Sequence, residues 1–405
     1  LILLLTPLNQ LQQLDIPLFS SEIRIIGLIT LVAFLTHYFM RKNIFIKKTE
    51  LFLPLLVFVF AHIVGLFRAS DVGYALERVI SIVIYFILYI LVVNLVKDEK
   101  TGKRMFVVLM LVTSGLAVFG IVQYFRGETL FSPDMGKFGS FDIAGQPVIR
   151  VIGVFRNPNA FAYTYVLVIP LTVGFFLIQK KRLYQCVLLA LLGICTICLL
   201  LTFSRSAFLA VWISLFFILA VLKRSQKAMI AMGFLGISIL LYAVSPDLFH
   251  ILQFRVTSTS FDISIQERMA LIGGGIETFS INPLIGSGTG NAPMILGKYA
   301  YRFIREAHNN LIVVLVETGL LGFVPFILIF IIFTKKMLHA MSKTSDRDSK
   351  IILVAILSSI WGYFINGLFH TSIAYGLWWF ILGSGIAAAD IIERYNQGNL
   401  TPLKQ

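Results

Sequence analysis

Long apolar runs recur along almost the whole chain. A backbone crossing a lipid bilayer must satisfy its own hydrogen bonds, which leaves runs of this length only the helix. Bounded by charge clusters, the runs occupy Ile25–Met40, Leu51–Phe67, Val79–Val96, Met105–Phe125, Ala160–Ile178, Leu183–Leu201, Ala207–Leu222, Ala228–Val244, Leu311–Phe333, Ile351–Phe369 and Ile373–Ile392. Leu1–Leu14, interrupted by Pro7, Asn9 and Gln10, reads as the remainder of a truncated first span, and the total is then about twelve spans of roughly 20 residues each. Composition agrees, with 58% of the 405 residues hydrophobic and only 13% charged, where a soluble domain carries about 25% charge. The expected fold class is an all-α integral membrane protein. A cleavable signal peptide is not expected, because no basic stretch precedes the first run and no small-residue cleavage site follows it.

The formal net charge of +14 would point to nucleic acid in a soluble protein. Here its placement decides otherwise. Six segments, Arg41–Glu50, Lys97–Arg104, Lys180–Arg182, Lys223–Lys227, Lys335–Lys350 and the tail Glu393–Gln405, together hold 21 basic residues against six acidic ones, while the alternate loops balance. Lys/Arg-rich short loops stay in the cytoplasm, so both termini are expected there and the excess charge is a coat that orients helices. No nucleic-acid partner is expected; membrane lipids are. The expected organisation is nine spans over residues 1–244 with an outer loop at 126–159, a large outer loop with surface helices at 245–310, three spans over 311–392, and a cytoplasmic tail at 393–405.

Long loops in a compact protein usually carry function. In the larger one, Ser245-Pro246-Asp247 is a helix start. Ser264-Ile265-Gln266-Glu267 is a capping box opening a helix to about Ile281, stopped by Asn282-Pro283. Ile265, Met269, Ile272, Ile276 and Phe279 form one stripe, so this helix should lie on the membrane surface or pack on the bundle, and Gly273-Gly274-Gly275 should weaken it while permitting close packing. Gly286-Ser287-Gly288-Thr289-Gly290-Asn291 resembles a phosphate-cradling loop but follows no strand and precedes no Lys-Ser/Thr. It reads better as a flexible loop whose backbone N–H groups could meet an anion. Cys186, Cys195 and Cys198 all lie in apolar runs and read as packing residues. No carboxylate cluster suggests a divalent metal, and no cofactor is expected.

Several cations and one histidine sit where spans begin or end on the outer face: Arg156, Arg205, Arg268, Arg305 and His308. Arginines around one cleft suit a pyrophosphate leaving group, because the guanidinium fork pairs with phosphate oxygens and stays charged. A histidine beside it could take a proton from an attacking hydroxyl. Arg156 and Arg305 could equally snorkel at helix ends. Arg205 stands apart, in a hairpin with barely four residues between apolar helices, where it needs an anionic partner or an aqueous cavity. A lone His before a helix is more often structural than catalytic, and His37, His62, His339 and His370 also lie at span edges. Asn309 or Asn310 could cap the helix after His308. Glu317, two turns into a span, is either the partner of an outer arginine or part of a proton path, with the first preferred.

Four segments, in order, resemble the bacterial O-antigen ligase and O-antigen polymerase family: Phe155-Arg156-Asn157-Pro158-Asn159-Ala160-Phe161-Ala162; Phe203-Ser204-Arg205-Ser206-Ala207; Glu267-Arg268 with Asn282-Pro283-Leu284-Ile285-Gly286-Ser287-Gly288; and His308-Asn309-Asn310 with Glu317-Thr318-Gly319-Leu320-Leu321-Gly322. They cover roughly Val151–Phe326. The resemblance implies a metal-independent, inverting, membrane-embedded glycosyltransferase of the bacterial inner membrane, working on the periplasmic side. Its donor would be a glycan on undecaprenyl pyrophosphate and its acceptor a hydroxyl of lipid A–core or of the next lipid-linked repeat. Arg205 and Arg268 would hold the pyrophosphate and His308 would activate the hydroxyl. Arg156, Arg305, Asn159 and Glu317 would support substrate binding. A ligase, moving a finished glycan en bloc, leads; a repeat-unit polymerase comes second. A lipid-linked glycan flippase or transporter is the alternative from another class, disfavoured because nearly all span cores are uncharged and no internal repeat is visible.

Overall fold

The computed structural model describes residues 47–127, 140–143, 146–155, 157–220, 263–299 and 308–396. Among the described residues eleven α-helices occur: α1 Phe52–Leu66, α2 Val72–Leu95, α3 Glu99–Arg126, α4 Pro158–Ile178, α5 Arg182–Leu201, α6 Arg205–Ala220, α7 Ile263–Ile281, α8 Ala292–Leu296, α9 Asn310–Lys343, α10 Arg347–Gly367 and α11 Gly376–Asn396. Seven are long and apolar enough to cross a membrane, and α1 and α6 are shorter apolar helices. The expected spans Leu1–Leu14, Ile25–Met40 and Ala228–Val244, the helix start at Ser245 and the tail beyond Asn396 lie outside the described residues.

The all-α expectation needs one correction. Ser140–Ile143 and Gln146–Ile149 form an antiparallel pair, β1 and β2, with Phe141 opposite Val148. Ser-Phe-Asp-Ile alternates polar and apolar residues, the period of a strand rather than of a helix, and only two residues separate it from its partner.

The chain divides into two compact units. One comprises the described parts of 1–44, 100–260 and 345–363. Its centre is α4, which packs on α5 and α6 and buries all but three of its residues. Asn157 caps α4, accepting from the Asn159 N–H at 2.8 Å, and Pro158 sits in the first turn, where its missing N–H costs nothing. Cys195 and Cys198 are free and buried, with Cys195 Sγ 3.4 Å from Ser114 Oγ. Large apolar side chains on exposed faces, Leu111 on α3 and Trp212 and Phe216 on α6 among them, suit contact with hydrocarbon.

The other unit comprises the described parts of 45–99, 261–344 and 364–405. In it α9 packs on α1, α11 and α7, and α11 packs on α2. Phe58, Phe326, Phe330, Trp378 and Trp379 form its aromatic core, with Phe58 and Phe326 rings 5.5 Å apart. Toward the far end of α9, Lys336 meets Asp390 and Glu393, each at 2.9 Å, and Glu50 at 3.1 Å; Lys47 also pairs with Asp390.

Helices α2 and α9 extend well past their apolar runs. Asp71 caps α2 by accepting from the Tyr74 N–H at 3.0 Å, so the helix starts at Val72 and includes Arg78. Helix α9 continues through the polar segment to Lys343, and it is broken at Gly319, whose φ of 57° and ψ of −154° leave the helical region. Only glycine takes that conformation without steric cost.

Candidate active site

Helix α7 carries Arg268 in its second turn, half-buried, with its guanidinium carbon 5.8 Å from the centre of the Phe369 ring. His308 precedes α9 with a φ of 50°, in the left-handed region; Phe203 is the one other such non-glycine residue among those described. Asn309 caps α9 by accepting from the Ile312 N–H at 3.1 Å. Asn310 does something else. Its Oδ1 accepts from the Ser372 N–H at 2.7 Å, and its amide donates to Ser372 Oγ at 3.2 Å. The turn after α10 is thereby fastened two residues from His308, and it brings His370, fully buried, into the same neighbourhood.

Burial, and then the positive charge of Arg268, push the His308 imidazole down to about 4. His370 is lowered to about 3 by burial, then by His308 and Arg268. The site thus joins a fixed cation to imidazoles that are neutral near pH 7 and able to accept a proton. Sequence reasoning noticed His370 only as one more span-edge histidine. Its signal was the three-residue gap between two apolar runs, too short to leave the site's vicinity once Ser372 is anchored.

Beneath this cluster Glu317, fully buried, pairs with Arg78 at 3.1 Å, with the backbone N–H groups of Gly290 and Ala292 turned toward its carboxylate. Glu317 does pair with an arginine, but that arginine is Arg78, which was not among the cations marked at span ends. The glycine loop at 286–291 differs from expectation. The break at Gly319 opens the Val316 and Glu317 carbonyls, which accept from the Ser287 and Gly288 N–H groups at 2.7 and 3.1 Å. It also frees the Leu320 and Leu321 N–H groups, which donate to Pro283 and Leu284. Thr289 N–H donates to Gly65 O at 3.0 Å, and Arg68 donates to Gly286 O and Asn282 Oδ1, both at 2.8 Å. The Ser287, Gly288 and Thr289 N–H groups serve the protein's own carbonyls, and the anion that the Gly290 N–H meets is the protein's own Glu317 carboxylate. The loop is a docked plug that repairs a broken helix.

In the other unit, Arg205 is the first residue of α6, half-buried, after the turn Thr202-Phe203-Ser204. Arg150 donates from Nε to the Thr202 carbonyl at 2.8 Å and from Nη2 to Asn159 Oδ1 at 3.0 Å, and Val151 N–H donates to Leu201 O at 3.0 Å. Asn159 is therefore tied to the Arg205 hairpin through Arg150, a residue that no motif marked.

Residues 188–327, from within α5 to within α9, match the model of a family described as O-antigen ligase. That segment, about a third of the chain, is similar to the O-antigen ligase family. No curated protein matches the chain. Together with seven helices long and apolar enough to cross a membrane, the match supports a multi-pass membrane protein. The matched segment includes Arg205, Arg268, His308, Glu317 and the glycine loop, whereas Arg78, Arg150, Asn159, Phe369 and His370 lie beyond it. Arg156 and Arg305 lie outside the described residues. Among the described residues no group of three or more His, Cys, Asp or Glu could hold a metal ion.

Proposed function

We propose that the protein moves a glycan from undecaprenyl pyrophosphate to an acceptor hydroxyl, of lipid A–core or a similar glycolipid, on the periplasmic face of the bacterial inner membrane. The observation that carries this reading is that one turn bears on both residues: the Phe369 ring lies against Arg268, and Ser372 is hydrogen-bonded to Asn310, two residues after His308. His308 takes the proton of the acceptor hydroxyl. The oxygen attacks the anomeric carbon in one displacement, forming the new C–O bond as the bond to the phosphate oxygen breaks and inverting the centre. Arg268 and Arg205 hold the leaving pyrophosphate, placing fixed positive charge where negative charge develops. Arg156, Arg305 and Asn159 steady the donor, and Glu317 supports the site from beneath. Both termini lie in the cytoplasm.

The test replaces His308 with Asn, which tolerates the left-handed backbone, and Arg268 with Ala, in a strain lacking the native gene. Donor should accumulate on the outer face, untransferred, with transfer falling roughly 10²- to 10⁴-fold in the histidine variant. Failure of donor to reach the outer face would instead mark a transporter. The polymerase is the second reading, since the matched family type includes it. Deletion separates the two: loss of a ligase leaves long polymer on the carrier, and loss of a polymerase leaves single repeats on the acceptor.

A further inference from the structure

The turn after α10 contributes more than a boundary. Phe369 N–H donates to Asn366 O at 3.0 Å and Leu368 N–H to Ile365 O at 3.1 Å, so the ring is anchored to the end of a helix. That ring lies 5.8 Å from the Arg268 guanidinium carbon. Three residues on, Ser372 makes its two hydrogen bonds with Asn310. One short turn thus bears on both Arg268 and the segment that carries His308.

We propose that Phe369 is a positioning residue for Arg268, its ring holding the guanidinium in the orientation that receives a pyrophosphate oxygen. This rests on the reading of Arg268 as a pyrophosphate ligand. A long arginine side chain loses rotamer entropy when it binds. A neighbouring side chain that restrains it beforehand lowers that cost. A ring contact does so without itself consuming an N–H donor, and the guanidinium fork suits the paired contacts that phosphate favours. A carboxylate in the same place would compete with the ligand for those donors.

The experiment measures binding of undecaprenyl pyrophosphate to the purified full chain in lipid nanodiscs, for wild type, Phe369→Leu, Phe369→Tyr and Arg268→Ala. Phe369→Leu keeps apolar bulk but lacks a π-face and should bind roughly three- to tenfold more weakly. Phe369→Tyr keeps the π-face and should stay within about twofold of wild type. Arg268→Ala should lose more than either. If Phe369→Leu binds like wild type, or Phe369→Tyr binds as poorly as Phe369→Leu, while Arg268→Ala is defective, the positioning role is overturned and the ligand role of Arg268 stands. If Arg268→Ala binds like wild type, the pyrophosphate reading itself has failed. Should Phe369→Leu not fold, Phe369→Met carries the same comparison.

Discussion

Glu317 and Arg78 form an ion pair 3.1 Å long, with the carboxylate wholly buried and the guanidinium nearly so. Two charges removed from water are stable only together. Removing one partner of such a pair costs about 3–5 kcal/mol, whereas replacing both with apolar groups is often close to neutral. Arg78→Met and Glu317→Gln should therefore each lower the melting temperature clearly, and Arg78→Met combined with Glu317→Met should cost much less than the two single losses added. Tryptophan fluorescence of detergent-purified protein reads this out. Strict additivity would show that the two charges are not coupled.

Glycines in the segment 263–299 should differ sharply in what they tolerate. A methyl group at Gly286 would sit 2.5 Å from backbone atoms of Glu317 and Thr318, at a φ of 69°, where alanine is also conformationally strained by about 1–2 kcal/mol. A methyl group at Gly273 meets nothing within 4 Å, and in a helix alanine is favoured over glycine by about 0.5–1 kcal/mol. Gly286→Ala is expected to yield little folded protein, and Gly273→Ala to match or exceed wild type in melting temperature. Equal yields would mean that the loop does not sit where it is described.

The pH dependence should be displaced from that of an ordinary histidine. A general base works when neutral, so transfer is lost as pH falls through the value of the essential imidazole. With His308 at about 4, the rate should hold from neutrality to about pH 5 and decline about tenfold per unit below about pH 4. Stability follows the same sign. Folded His308 and His370 both lie below 6.5, so the unfolded chain binds more protons and stability declines as pH falls from about 6.5 toward 3. Transfer assays bracketed by melting curves at each pH separate the two effects. An acid limb near 6.5 would rule out this environment for the base.

Helices were readable from the apolar runs because a bilayer admits little else, and α7 ends at Ile281 as Asn282-Pro283 foretold. What escaped reading depends on the fold bringing distant segments together. Arg78 lies seven residues inside a helix whose start is set by Asp71, ahead of the apolar run. Arg150 and Ser372 matter only through the carbonyl and amide they meet. The rows of glycine at 286–290 suggested a loop open to anions, since composition cannot show that a helix elsewhere is broken and claims those N–H groups. Gly274 and Gly275 do permit close approach, of Tyr299 and Ile312 respectively. Arg268 and His308 were expected around one cleft, but that Phe369 and His370 would join them was not legible.

The break at Gly319 bears on biogenesis as much as on architecture. As α9 enters the bilayer, it exposes two carbonyls and two amides to hydrocarbon until residues 283–288 dock against them, each at a cost of several kcal/mol. Insertion of this span and docking of the preceding loop are therefore expected to be coupled. Variants in the glycine loop should be found as protein that is degraded, not as enzyme that is slow.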